Sequence, residues 1–185
     1  MTWLDRLLRD WRMRVALQHL PTGSRVLDIG THDGSLFTKA AAGGIGIDPE
    51  LVVTAGAMGP ITFVRGMFPS ALVDQQPGSF DAATALAVVE HVPDGELAAW
   101  ASALAELLRP GGRLIITVPA PTVDHLLHVL MALRLVNGME AHQHHGFVPG
   151  DLHGVFAGPQ WRLALHRTFQ LGLNHLFVFE RTPAP

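Results

Sequence analysis

The 185-residue chain has no cysteine and no tyrosine. The first absence excludes disulfides, thiolate metal sites and cysteine nucleophiles. Lysine is nearly absent too: Lys39 is the only one, against twelve arginines. Schiff-base chemistry therefore has a single, poor candidate. Charged residues make up 16% of the chain and the net charge is −3, so the basic footprint of a nucleic-acid-binding protein is missing. No apolar run reaches the ~18 residues of a spanning helix. The longest, 126–136, is broken by His128 and Arg134. The first twenty residues lack the apolar core and small-residue cleavage site of a signal peptide, and Asp5 and Asp10 argue against a transit peptide, so a cytoplasmic protein is expected. What the chain does have is hydrophobic residues, 48%, and eleven histidines. Its length predicts one domain, 1–185, able to bury a full core.

Residues 3–20 carry a helical period. Trp3, Leu7, Trp11 and Val15 are spaced four apart with Leu4 and Leu8 beside them, while Arg6, Arg9, Arg12 and Arg14 fall largely off that stripe. An amphipathic helix follows, docked on the domain, serving as a lid, or lying on a membrane surface. After Pro21-Thr22-Gly23, apolar strands are predicted at 25–29, 44–48, 61–64, 80–89 and 113–118. A helix is expected at 35–42. A second should run from an N-cap at Asp94 to Leu108, stopped by Arg109-Pro-Gly-Gly112. Strands alternating with helices predict a doubly wound, mostly parallel sheet. Residues 161–168 and 174–181 read as two more strands. The segment between them is too short for a crossover helix, so they must pair antiparallel, giving seven strands in all.

Three segments carry chemistry. In VLDIGTHDGSLF, 26–37, a strand enters a glycine turn and then a helix, with Asp28 before Gly30 and Gly34. The spacing is not G-x-G-x-x-G. An acid aimed at the ligand repels a pyrophosphate but suits a cation. Asp48 ends the next strand, 18 residues after Gly30, where a carboxylate can accept ribose hydroxyls. The third segment is FDAATALAVVEHV, 80–92, followed by LLRPGGRLIITVP, 107–119.

Taken in order, these elements resemble the class I S-adenosylmethionine-dependent methyltransferases, most closely the small type 11 group similar to the ubiquinone and menaquinone methylases. The resemblance covers nearly the whole chain. It implies a Rossmann-like methyltransferase fold, an antiparallel C-terminal hairpin and S-adenosyl-L-methionine as cofactor. It assigns Asp28, Gly30 and Gly34 to the methionine end of the cofactor and Asp48 to the ribose. Leu86 and Ala87 would border the sulfonium, and Glu90 and His91 would stand at the substrate mouth. Two residues depart from the family pattern. His32 replaces the middle glycine of the turn, where histidine tolerates positive φ better than most residues. Met67 follows Gly66 where an acid usually meets the adenine amino group, and would instead pack on the adenine face.

The histidines raise a metal question. Asp124, His125 and His128 share a helix face, and His142, His144 and His145 follow. Their spacing matches no closed-site pattern, so no metal is expected. A general base is the better use of an imidazole, with His91, His144 and His145 as candidates. His19, His153, His166 and His175 read as surface or satisfied positions. The helix expected at 121–136 is apolar over most of its circumference. It is buried, lines an apolar pocket or forms a dimer contact. Segment 119–150 would then carry the loop over the substrate side.

The expected function is methyl transfer to a small-molecule acceptor, with oxygen favoured over nitrogen or carbon; an apolar lining by the helix at 121–136 would suit an acceptor with an apolar part. Two alternatives stay open. One is a non-catalytic methyltransferase-like binding protein that has lost or weakened cofactor binding. The other is a nicotinamide-dependent oxidoreductase, which would need the missing dinucleotide fingerprint. No nucleic-acid partner and no membrane span are expected, and the oligomeric state stays open.

Overall fold

The computed structural model describes residues 3–120 and 148–183. The expected helix at 121–136 and His125, His128, His142, His144 and His145 lie outside the described residues. Helix α1 spans Trp3–Leu17, strand β1 Arg25–Ile29, helix α2 Ser35–Ala40 and strand β2 Gly43–Asp48. Strands β3, Gly56–Met58, β4, Ile61–Arg65, and β5, Phe80–Leu86, follow. Helix α3, Leu97–Leu107, leads into β6, Leu108–Pro119. The hairpin consists of β7, Trp161–Phe169, and β8, Asn174–Arg181.

The eight strands form one sheet in the order β3-β4-β2-β1-β5-β6-β8-β7. The expected count was seven. The eighth is β3, three exposed residues pairing antiparallel along the edge of β4. Alanine, glycine and methionine over three positions carry no strand pattern, which is why the sequence hides it. Strands β4, β2, β1, β5 and β6 are parallel, β8 is antiparallel to β6, and β7 pairs antiparallel with β8. The chain lays down β1, moves outward through β2 and β4, then returns to place β5 on the other side of β1. That reversal opens a crevice at the carboxyl ends of β1 and β5, the usual place for a ligand in such a sheet.

The central strands are buried on both sides because their residues alternate between two apolar layers. Leu27, Ile29, Ala83, Ala85, Leu114, Ile116, Phe177 and Phe179 belong to the layer that holds Trp100 and Leu104 of α3. Val26, Ile115, Leu176 and Val178 face the other layer, where Met13, Val15 and Ala16 of α1 pack. Helix α1 runs antiparallel to the parallel strands. Near its start, the Leu8 carbonyl accepts a hydrogen bond from Gln170 Nε2 in the β7–β8 turn, 2.8 Å away. Beyond its end, the His19 carbonyl accepts one from Arg113 at the start of β6, 3.1 Å away.

Three sequence expectations change. The stripe expected to dock α1 is partly the wrong one: Trp3, Leu7 and Trp11 are exposed, and the helix buries Met13, Val15 and Ala16 instead. Of the four residues spaced four apart, Val15 is the buried one, because the sheet takes up the half of the helix rotated toward Met13 and Ala16. Asp94 is not the N-cap of α3. It opens a 3-10 turn, Asp94–Glu96, and the helix begins at Leu97. Finally, Arg109-Pro-Gly-Gly112 lies inside β6 as an irregularity, since the pairing steps from Phe80↔Leu108 directly to Ala82↔Arg113. Asp81 clamps this bulge. Its Oδ1 accepts from Arg109 Nε at 2.6 Å and its Oδ2 from the Arg25 backbone N–H at 2.8 Å.

The docking of α1 makes a direct prediction. Met13→Ala should lower stability by about 2–5 kcal/mol, the range for a truncated core side chain. Leu7→Ala should stay within about 0.5 kcal/mol, as exposed substitutions do. Urea unfolding of the two variants measures the difference, and equal losses would place the wrong face of α1 on the sheet.

Candidate active site

The crevice is built from turns that leave the strands at their carboxyl ends. The first joins β1 to α2 through Gly30-Thr-His-Asp-Gly34. Gly30 has φ 79° and Gly34 φ 70°, both left-handed. A Cβ on Gly30 would lie 2.3 Å from Val88 Cγ2, and one on Gly34 would lie 2.6 Å from the Phe63 ring. Neither position admits a side chain, for both conformational and steric reasons. His32 also has positive φ, 46°, so the turn keeps its left-handed geometry with histidine in the middle. The backbone on both sides holds His32 there: its N–H donates to Asp48 Oδ2 at 2.9 Å, and its carbonyl accepts from the Val52 N–H at 3.0 Å.

Asp48, at the end of β2, is buried. Its other oxygen, Oδ1, accepts from the Glu50 N–H at 2.7 Å. The carboxylate thus starts the turn after β2 and ties it to the glycine turn. Each oxygen has one backbone donor and keeps a further lone pair for a ligand hydroxyl.

Asp28 lies one strand inward, 4% exposed, on the α1 side of β1. The Thr84 hydroxyl of β5 donates to its Oδ1 at 2.6 Å, across the seam where the sheet topology reverses. Burial raises its pKa to about 6 despite the threonine bond. The glycine turn is also tied to α1, since Arg9 Nη1 donates to Asp33 Oδ2 at 2.8 Å while Asp33 Oδ1 accepts from the Ser35 N–H at 3.0 Å. A second ion pair, Lys39 to Asp10 at 2.6 Å, joins α2 to α1.

The remaining predicted residues gather less tightly. Ala87 leaves β5 with φ 57°, its N–H donating to the Thr117 carbonyl at 2.8 Å. Leu86 packs against the apolar clusters beneath α1. Met67 is exposed after β4, and its carbonyl accepts from the Ala71 N–H at 2.9 Å. His91 ends the 3-10 turn Val89–His91, with its side chain exposed, next to the fully interior Glu90. His144 and His145 are outside the described residues, so their placement beside His91 has no structural counterpart here. His166 and His175 hydrogen-bond each other at 3.0 Å, and His153 meets the Gly150 carbonyl at 3.0 Å, so these three are satisfied far along the hairpin side. Among the described residues no cluster of three or more His, Asp or Glu has the arrangement of a metal site, and no helix is long and apolar enough to cross a membrane.

The donor set around the crevice is acidic and rich in backbone groups. Asp28, Asp33 and Asp48 line it. Arg9 is engaged on Asp33, and Arg65 on the Leu51 carbonyl at 2.5 Å. Such a lining repels phosphates and suits a ligand carrying ribose hydroxyls and a positive charge. Residues 2–166 match the family model of the methyltransferase domain. The chain belongs to the methyltransferase family. It is of the class I, S-adenosylmethionine-dependent kind and resembles the type 11 methylases, and S-adenosylmethionine is the cofactor of that family.

Curated relatives agree with this placement, and solved structures share the fold. The chain is 33% identical over 144 residues to a ubiquinone biosynthesis O-methyltransferase of Xylella fastidiosa, covering 71% of this chain and 58% of that one. It is 39% identical over 106 residues to the enzyme of the same name from Xanthomonas axonopodis pv. citri, covering 52% and 44%. The chain thus spans about half the length of the curated relatives it matches. Its fold is similar to a SAM-dependent methyltransferase from Archaeoglobus fulgidus, with a TM-score of 0.70, 15% identity and coverage of 95% and 94%. It is also similar to a Burkholderia thailandensis 1,6-didemethyltoxoflavin-N1-methyltransferase holding its substrate and S-adenosylhomocysteine, with a TM-score of 0.65, 19% identity and coverage of 93% and 79%.

Sequence reasoning missed the partners that hold this site together. Thr84 gave no motif, and the Arg9–Asp33 pair joins residues 24 apart that only the fold brings together.

The buried Asp28 carboxyl has a measurable consequence. Its folded pKa, about 6, lies above the ordinary 3.8. The folded state therefore favours the protonated form, and the group costs stability as pH rises through that window. The cost is absent below the ordinary value and complete above the raised one, amounting to about 3 kcal/mol. Asp28→Asn should remove that part of the decline. The measurement is urea unfolding of both proteins between pH 4 and pH 7, and parallel stability curves would refute it.

Proposed function

We propose that this chain transfers the methyl group of S-adenosylmethionine to a hydroxyl oxygen of a small-molecule acceptor. One observation carries the reading: two strand-end carboxyl groups, Asp28 and Asp48, flank a left-handed turn at the point where the sheet topology reverses. S-adenosylmethionine supplies a methyl group already activated on a sulfonium, so the protein's work is to bind, orient and exclude water. In this reading Asp48 accepts the ribose hydroxyls beside its two backbone bonds. Asp28 faces the ammonium end and, near neutral pH, is ionised by that cation. Gly30 and Gly34 give the backbone close approach. Ala87 and Leu86 border the sulfonium, and Met67 packs on the adenine face. His32 belongs to the same wall, its ring turned from the cofactor while its backbone braces Asp48.

Oxygen is favoured over nitrogen and carbon because the curated relatives, at 33–39% identity, are named O-methyltransferases. An oxygen acceptor must also lose a proton as it takes the methyl group, and the rim carries groups able to take it. His91 is one such group. His144 and His145 are proposed from the sequence alone. The acceptor class is a small molecule, and its identity is the object of the test. The non-catalytic alternative rests on His32 and Met67; the positive φ of His32 supports a turn that keeps its shape with histidine in the middle.

The decisive assay supplies the chain with methyl-labelled S-adenosylmethionine and a panel of phenols, alcohols and amines, and locates the label in the product by mass. Label on oxygen is expected. Cofactor binding without transfer to any of them would favour the non-catalytic protein. Asp48→Asn, which keeps a side-chain oxygen for the turn, should weaken cofactor binding by ~1.5–3 kcal/mol in calorimetry. His32→Gly should leave affinity unchanged or raise it, because glycine has no Cβ penalty at positive φ. A loss of about tenfold there would assign the imidazole itself to the ligand.

A further inference from the structure

The carboxyl edge of the sheet holds a second polar pair that the cofactor reading does not use. Glu90, in the turn after β5, is 3% exposed, and its Oε2 has no hydrogen-bond partner. Arg12 of α1 stands near enough to act on it electrostatically, and Arg12 Nε is itself buried without a partner. Burial pushes the Glu90 carboxyl up to about 7, against the pull of its own backbone N–H and of Arg12, and burial also draws the Arg12 guanidinium below its ordinary value. Leaving either atom unsatisfied is costly, so proteins keep such atoms where something else completes them.

The fold brings both residues to the carboxyl edge of the sheet. Helix α1 enters across the carboxyl edge, with Arg9 on the glycine turn and the Leu8 carbonyl on the β7–β8 turn. Arg12 follows Arg9 by three residues and so shares its face. Glu90 lies three residues beyond Ala87, in the turn that leaves the carboxyl end of β5.

A donor, Nε–H, and an acceptor, Oε2, both lacking partners, are complemented by one hydroxyl, which accepts from the first and donates to the second. We propose that Arg12 binds the oxygen of the acceptor hydroxyl and that Glu90 takes its proton. This rests on the oxygen reading above. The acceptor oxygen forms its bond to the methyl carbon as the sulfur–carbon bond breaks with its electron pair staying on sulfur. The hydroxyl proton passes to Glu90 Oε2, which becomes a carboxylic acid and later releases it to solvent. Arg12 stabilises the negative charge that grows on the oxygen in between. Helix α1 is then a wall of the acceptor pocket and not only a docked helix. Among the described residues Arg12 is the charge facing Glu90 from a packed element, and His91 follows it on the same turn.

The test uses the 185-residue chain, S-adenosylhomocysteine, and catechol as the hydroxyl probe. Calorimetry of catechol into the S-adenosylhomocysteine complex should give binding to the wild type. Arg12→Gln should weaken it about tenfold or more while S-adenosylhomocysteine affinity changes less than roughly twofold, and Arg12→Lys should recover part of the loss. With labelled S-adenosylmethionine, Glu90→Gln should lower kcat more than it raises the acceptor KM. It should also remove the loss of activity that the wild type shows as pH falls through about 7. That variant keeps the side-chain shape and adds no charge, so it folds where a truncation would not. No catechol binding to the wild-type complex, equal losses of both affinities in Arg12→Gln, or an unchanged acid limb in Glu90→Gln would each overturn the proposal. Failure of the oxygen reading looks different: label on amines only, with catechol still held through Arg12.

Discussion

Carboxyl groups withdrawn from water are the constraint around which the site is arranged. Asp28 and Glu90 are both nearly inaccessible, and both have pKa values raised by burial. A buried carboxylate is tolerated only with hydrogen bonds or a facing cation. Thr84 supplies the bond to Asp28, so β5 must lie directly against β1 in register. Arg12 supplies the facing cation for Glu90, so α1 must cross the carboxyl edge. Position of strand and position of helix follow from the same electrostatic requirement.

The glycine turn turns this arrangement into a cradle. Gly30 and Gly34 are locked by Val88 and Phe63 on one hand and by left-handed backbone on the other. Asp48 then draws the middle of the turn toward β2 through the His32 N–H. The turn is therefore fixed before any ligand arrives, and preorganised donors and acceptors are worth more than mobile ones. Helix α1 completes the enclosure. Ion pairs Arg9–Asp33 and Lys39–Asp10 bind it to the turn and to α2, while Met13, Val15 and Ala16 bind it to the sheet. Exposed pairs contribute little on their own, so the apolar contacts carry the docking and the ion pairs set its register.

Much of this was legible in the chain because local patterns encode it. Apolar strands alternating with helices encode the parallel sheet. The short connection at 170–173 encodes the antiparallel hairpin, and the motif order 28–34, 48, 80–92, 107–119 encodes the class of cofactor site. The motif residues had a second use that the pattern did not show: Asp81 and Arg109 clamp the bulge of β6, and Asp48 is a turn-maker as well as a ligand candidate. Strand β3 was invisible because an edge strand of three small, exposed residues needs no apolar signal.

The face of α1 and the partners of the buried acids were decided by tertiary structure alone. A helix with apolar residues on more than one side has several possible docking stripes, and periodicity selects the one richest in large side chains, Trp3, Leu7 and Trp11. The sheet selected Met13, Val15 and Ala16, because small and flexible residues let the helix approach the strands closely. Once that rotation was set, Arg9 met Asp33 of the glycine turn and Arg12 came within electrostatic reach of Glu90, whereas periodicity had only put both off the apolar stripe. The sequence by itself determined the order of strands and helices and the acids at their ends, since these depend on neighbours along the chain. Which charge meets which depends on residues 24 to 78 positions apart, such as Arg9 with Asp33 and Arg12 with Glu90, and only packing brings those together.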